Sequence, residues 1–267
     1  MQWNRKLIDV AVCLFLVATV VLECVPLRFT QDLRQNTWVL GILTQSCGIM
    51  AVLLLLKLMR IRLFSVPKTW VYVIPCLIIC FNNFPSWAYF TGNAQLARGG
   101  WMDVLLFGGY CLSVGVFEEL VFRGIVFSLV ASLFPQSKKG LIKTVICSSA
   151  IFAIVHFVNL FYGAGIVATL MQVGYSFLTG GLFAFALIKT ENVLIPAILH
   201  AIYNFCGLIC TKQGLGLGFS FDWGTCITMG AVVLMIGSLI VYFLFKHSEN
   251  ARKSLYNKLN IRQNDSK

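Results

Sequence analysis

Apolar residues run through this chain in blocks of membrane-spanning length, at roughly 7–27, 37–58, 70–90, 101–134, 143–160, 165–189, 193–210 and 223–245, with most charges in the short stretches between them. A helix rises about 1.5 Å per residue and a bilayer's hydrocarbon core is about 30 Å thick, so about 20 apolar residues make one span. In lipid every backbone polar group must be bonded internally, and unbroken apolar blocks meet that demand as helices. The pattern predicts an all-α fold, a polytopic integral membrane helix bundle of about eight transmembrane helices. One block is too long. From Trp101 to Phe134 a helix would measure about 50 Å, so it either tilts and protrudes or breaks near Gly108-Gly109 or Gly115. Asn82-Asn83-Phe84-Pro85 ends the third block early and predicts a bend or loop there.

Composition agrees with the pattern. The chain is 58% hydrophobic and 12% charged, with a mean hydropathy of +0.83, whereas a soluble domain carries about a quarter charged residues. No polar stretch is long enough for a second domain, so residues 1–245 read as a single transmembrane domain and 246–267 as a basic cytoplasmic tail lying against anionic headgroups. Arg5 and Lys6 before the first block resemble a signal peptide, but no small-x-small cleavage site follows and the block reads as a helix.

The net charge of +11 raises nucleic-acid binding, and the placement of the charges excludes it. Lys57, Arg60, Arg62 and Lys68, then Lys138, Lys139 and Lys143, then Lys189, and finally the tail all fall on one side of an eight-crossing chain. The other side has only Arg28, Arg34, Arg98 and Lys212. By the positive-inside rule both termini are cytoplasmic, in the cell membrane if the protein is bacterial. The ten cysteines form neither a disulfide framework nor a zinc pattern: Cys76/Cys80 and Cys206/Cys210 are spaced i, i+4 in apolar runs and read as small hydrophobes.

Against this background, Glu118, Glu119 and Arg123 stand out inside one of the most apolar stretches. An ionised side chain at membrane depth costs at least about 2.5 kcal/mol and marks a polar cavity within the bundle. On a helix, Glu119 and Arg123 are i, i+4 in the favourable acid-first order and should pair. Glu118 points about 100° away without such a partner, and is the carboxylate free to take a proton from water. His156 and His200 lie in two further apolar blocks, and His200 shares a helix face with Asn204. Such groups can hold a water or donate to an oxyanion. Glu118, His156 and His200 would also make a ligand set for a divalent metal such as zinc, though the helical H-E-x-x-H spacing is absent. The residues alone fit either a metal site or a site that requires no cofactor. His247 lies in the tail and has no expected role. Gly180-Gly181 predicts a close helix contact.

The ordered set E-E-x-x-x-R (Glu118, Glu119, Arg123), F-x-x-x-H (Phe152, His156) and H-x-x-x-N (His200, Asn204) resembles the CAAX-protease and bacteriocin-processing family, also called the abortive-infection family, of intramembrane endopeptidases. The Arg123-Gly124 step, Gln172, Phe177 and the run from Glu191 to His200 resemble it too, and the likeness covers about 109–207. The resemblance implies that Glu118, His156, His200 and Asn204 are catalytic, with Glu119 and Arg123 supporting. It implies hydrolysis of a peptide bond in a membrane-associated peptide or protein, as in CAAX processing or the processing of bacteriocins and pheromones. A short chain without extra domains suits a bacterial member acting on a peptide or small membrane protein. Two other classes stand beside it: an immunity or regulatory protein that binds a partner without hydrolysis, which would not need Glu118 and both histidines, and a proton-coupled transporter, which lacks the expected paired broken helices.

Overall fold

The computed structural model describes residues 28–67, 69–96, 99–218, 223–246 and 249–261. Helix α1 spans Leu33–Leu58, capped by Asp32, whose carboxylate accepts from the N–H groups of Arg34 and Gln35. A 3-10 turn, Trp70–Tyr72, leads into α2, Val73–Asn82, and a bend at Asn83 to Pro85 leads into the short α3, Ser86–Phe90. A continuous helical rod follows: α4, Trp101–Glu119, a π-helical segment, Leu120–Val126, and α5, Phe127–Ser132. Helix α6, Lys138–Val155, runs into a 3-10 segment, His156–Leu160. Helices α7, Ile166–Thr190, α8, Leu194–Leu208, α9, Trp223–Phe245, and α10, Glu249–Lys258, complete the described chain. The fold is an all-helical membrane bundle.

Among the described residues, four helical stretches are long and apolar enough to cross a bilayer: Leu33–Leu58, Lys138–Leu160, Ile166–Thr190 and Trp223–Phe243. The first expected span, 7–27, lies outside the described residues. The blocks expected at 70–90 and 193–210 form short helices instead, Trp70–Asn82 and Leu194–Leu208. Helix α8 is apolar because it lies inside the bundle, with Ile195, Ala197, Leu199, His200 and Ala201 all buried. Burial and lipid contact leave the same mark on composition, which is why length alone misjudges such helices. The predicted bend at Asn82–Pro85 is present, and its asparagines stitch the broken helix to its neighbours: Asn82 donates to the Met229 carbonyl at 3.1 Å and Asn83 to the Tyr203 carbonyl at 2.8 Å.

The long fourth block does not break at its glycines. The rod runs from Trp101 to Ser132, and its irregularity is the widened π segment directly after Glu119. Gly108, Gly109 and Gly115 stay helical, and Gly115 provides a close approach: a Cβ there would lie 2.7 Å from the Ala197 carbonyl oxygen and 2.8 Å from the Ala201 nitrogen. Glycine's low helix propensity costs about 1 kcal/mol, which tight packing against α8 offsets. Gly180 makes the expected close contact, since a Cβ there would lie 3.0 Å from Ser149 on α6, while Gly181 has open space beside it.

The basic segments share one face. Arg252 Nε donates to the Gln136 carbonyl, the Arg62 N–H donates to the Lys258 carbonyl, and the Lys258 ammonium pairs with Glu191 at 2.6 Å. The opposite end is tied by Trp38 Nε1 to the Gln213 carbonyl and by the Leu217 N–H to the Gln95 carbonyl. One face of the described tail helix is docked on the bundle, while Lys253 and Asn257 are exposed. Leu255, Tyr256 and Leu259 are buried in one cluster with Leu56, Leu63, Leu120 and Phe127. Three apolar residues at helical spacing were enough to dock an otherwise polar helix onto the end of the rod.

Candidate active site

Packing of α4 against α8 carries the two acidic residues toward His200. Gly115 sets the separation one turn before Glu118 and Glu119, and Ala197 and Ala201 line the facing side of α8 around His200. Helix α4 ends as the π segment begins, and π segments recur at functional sites because one extra residue per turn re-aims the side chains around it.

The expected ion pair is present. Arg123 Nε lies 3.0 Å from Glu119 Oε2, and both side chains are fully buried. The guanidinium sits 5.0 Å above the Phe152 ring and 6.0 Å from that of Phe183, so its charge meets aromatic faces as well as a carboxylate. The other carboxylate oxygen, Glu119 Oε1, is 3.0 Å from His200 Nδ1. Across the ring, His200 Nε2 faces Glu118 Oε2 at 3.9 Å. Glu118 is therefore not partnerless as its helical phase suggested. Its side chain keeps 27% of its surface exposed, whereas Glu119 keeps none. The two adjacent carboxylates stand on either side of one imidazole, one locked and one accessible.

His156 stands at the start of the 3-10 segment, half-buried, its Nδ1 2.9 Å from the Phe152 carbonyl oxygen. Phe152 joins the two histidines: its ring centroid is 5.1 Å from that of His156 and 5.9 Å from that of His200, edge-on to both. Phe183 stacks on His200 at 4.8 Å with 24° between the planes. The histidines thus flank one aromatic ring on the same side of the bundle. Asn204 lies one turn after His200, half-buried, and its side chain makes no hydrogen bond among the described residues. Neither Phe183 nor the spacing role of Gly115 was signalled by the sequence. An aromatic residue is unremarkable in so apolar a chain, and a helical glycine suggests a break as readily as a contact.

Tautomers follow from these partners. A carbonyl oxygen can only accept, so His156 Nδ1 carries the hydrogen and Nε2 is left with a lone pair. Glu119, paired with Arg123, accepts in the same way from His200 Nδ1. Both rings present Nε2 as an acceptor when neutral. Metal-bound histidines are held in the same fashion, yet among the described residues no three His, Cys, Asp or Glu side chains stand close enough together to hold an ion. The described cysteines, Cys76, Cys80, Cys206 and Cys210 among them, are free.

An apolar groove of about 350 Å³ runs between α2, α4 and α8, lined by Phe81, Gly108, Leu112, Ile198, Ala201 and Phe205 among others. Gly115→Ala is expected to force α4 away from α8, because the added methyl meets backbone that cannot rotate aside. Overpacking of this kind costs about 1–3 kcal/mol. A fall in the unfolding temperature in detergent, with Gly108→Ala as the milder control, checks it; only the Phe205 ring, 3.9 Å away, lies near the added methyl at position 108.

Residues 100–206 match the family model described as type II CAAX prenyl endopeptidase Rce1-like. No curated protein and no solved structure matches the chain. The resemblance carried by the three motifs is therefore shown by the family comparison, and all six site residues lie within the matched stretch. The family is one of membrane peptidases, acting on peptide or protein substrates.

Proposed function

We propose that this chain is an intramembrane endopeptidase in which Glu118 activates the water that attacks a peptide bond. The observation that supports it is the linked set Arg123–Glu119–His200–Glu118, which fixes an imidazole between a neutralised, buried carboxylate and an accessible one. The 3.9 Å between His200 Nε2 and Glu118 is long for a direct bond and leaves both groups free to share a water. In this scheme Glu118 accepts the water's proton as its oxygen adds to the carbonyl carbon, and His200 Nε2 accepts the second O–H and holds the water in line. His156 Nε2 offers a further acceptor, and the Asn204 amide donates to the developing oxyanion. Glu118 then passes its proton to the leaving amine, so that water is split across the bond and the site is regenerated. No step in this scheme is routed through a metal.

The substrate in this reading is a peptide or small membrane protein. The groove between α2, α4 and α8 is lined by apolar side chains and suits an apolar part of such a substrate. Purified protein in proteoliposomes, given membrane-tethered peptides and followed by mass spectrometry of new termini, tests the reading. Cleavage should occur with a chelator present and fall about 100-fold or more in His200→Ala. Peptides left intact by the wild-type protein would overturn the peptidase assignment, and cleavage lost to the chelator and restored by zinc would overturn the metal-free scheme.

The shared basic face is proposed to be cytoplasmic, with both termini on that side. Lys139→Cys and Lys253→Cys should then react with a membrane-impermeant maleimide from the inside only, and Asn93→Cys from the outside only. Labelling of positions 139 and 253 from opposite sides would refute this topology.

A further inference from the structure

The connection between α6 and α7 is apolar and exposed. Between Lys143 and Lys189 the sequence holds no Asp, Glu, Lys or Arg, so the turn and the parts of both helices that flank it carry no such charge. At that turn Phe161 is 89% exposed, Tyr162 79%, Ile166 70% and Val167 72%. A turn in water is normally built of polar residues, and an exposed apolar patch marks an interaction surface. The backbone is equally unusual. The consecutive N–H groups of Phe161, Tyr162, Gly163 and Ala164 all bond inside the turn, to the carbonyls of Val158, Asn159, Leu160 and again Asn159. Gly163, at φ +84°, makes the tight reversal possible. The polar side chains nearby satisfy each other, Asn159 donating to Gln172 at 2.7 Å.

These are the properties that backbone needs where water is scarce. Length agrees with them. From Lys143 through the 3-10 segment to Leu160 the chain rises about 30 Å, the thickness of the hydrocarbon core. No residues remain to carry the turn clear of the far leaflet.

We propose that the α6–α7 turn, residues 157–167, is immersed in the leaflet opposite Lys143 and Lys189, with lipid acyl chains as its partner. Phe161 and Tyr162 anchor it at the depth where aromatic side chains collect, and the first turn of α7 has its N–H groups for headgroups or interfacial water. His156 begins this segment, so its side of the site borders lipid. On the peptidase reading above, a peptide bond can then reach it within the bilayer.

Proteoliposomes containing a phospholipid with a diazirine near the carbonyl end of its acyl chain test this on the wild-type protein. After irradiation and chymotryptic digestion, peptides from 157–171 should carry lipid adducts, and a water-soluble tyrosine reagent should leave Tyr162 unmodified. The double variant Phe161→Lys, Ile166→Lys should lower the adduct yield about tenfold, since each buried charge at this depth is costly. Modification of Tyr162 from water, or a turn that neither probe reaches because protein covers it, would overturn the proposal. The readout needs no turnover, so lipid adducts on a protein that cleaves nothing would sink the peptidase reading and leave this one standing.

Discussion

Glu118→Gln is expected to lower peptide cleavage by about 10²–10⁴-fold, the range that a positioned general base contributes, while expression and unfolding temperature stay near wild type. The amide has the carboxylate's shape and can still approach His200 Nε2, but it cannot take a proton from water. Stability should change little, because the Glu118 side chain is partly exposed and its carboxylate stands 3.9 Å from His200 Nε2, too far for a direct hydrogen bond. Single-turnover kinetics against a membrane-tethered peptide would measure the loss. Near wild-type cleavage by a well-folded variant would remove Glu118 from the base role. Glu118→Gln combined with His200→Ala should be little worse than either alone, since both serve one step.

Arg123→Ala should fail in a different way. Its guanidinium is fully buried, paired with Glu119 at 3.0 Å and enclosed by Phe152 and Phe183. Truncation leaves a buried carboxylate without its cation, a defect that costs about 3–5 kcal/mol, and opens a void between two rings. Low yield and a clearly depressed unfolding temperature are expected. Adding Glu119→Gln in an Arg123→Met background removes both charges and keeps the volume, so yield should recover. Activity should not, because His200 Nδ1 then loses the carboxylate that orients it. If yield recovers in the double variant and full cleavage returns with it, Glu119 does not position His200.

The two variants separate what could be read from the residues from what could not. The Glu119–Arg123 pair lies within one helix, and i, i+4 spacing with acid first is a local rule, so it was legible along the chain and is present. The bend at Asn82 to Pro85 was legible for the same reason. So was the gathering of basic segments on one face, which follows from how often the chain crosses. Helical phase alone, by contrast, left Glu118 without a partner. The 3.9 Å approach of His200 depends on how closely α8 lies against α4, and Gly115 sets that distance through atoms of Ala197 and Ala201 far away in sequence.

Local rules misjudged other features in the same way. Glycines inside a long apolar block suggested breaks, yet the rod stays intact, because a missing side chain weakens an isolated helix and strengthens a packed one. The basic tail was read from its charges, and those did not signal that Leu255, Tyr256 and Leu259 join the buried cluster around Leu120 and Phe127. What the sequence by itself determined was the solvent and the family likeness: apolar blocks that only a bilayer suits, and three motifs that lie within the stretch matching the peptidase family. What only the tertiary structure decided was which ring nitrogen faces which carboxylate, and which aromatic rings pack against His200 and Arg123. The first kind of information resides in residue type and spacing along one helix. The second depends on distances of a few ångströms between helices, which close packing fixes and no single segment encodes.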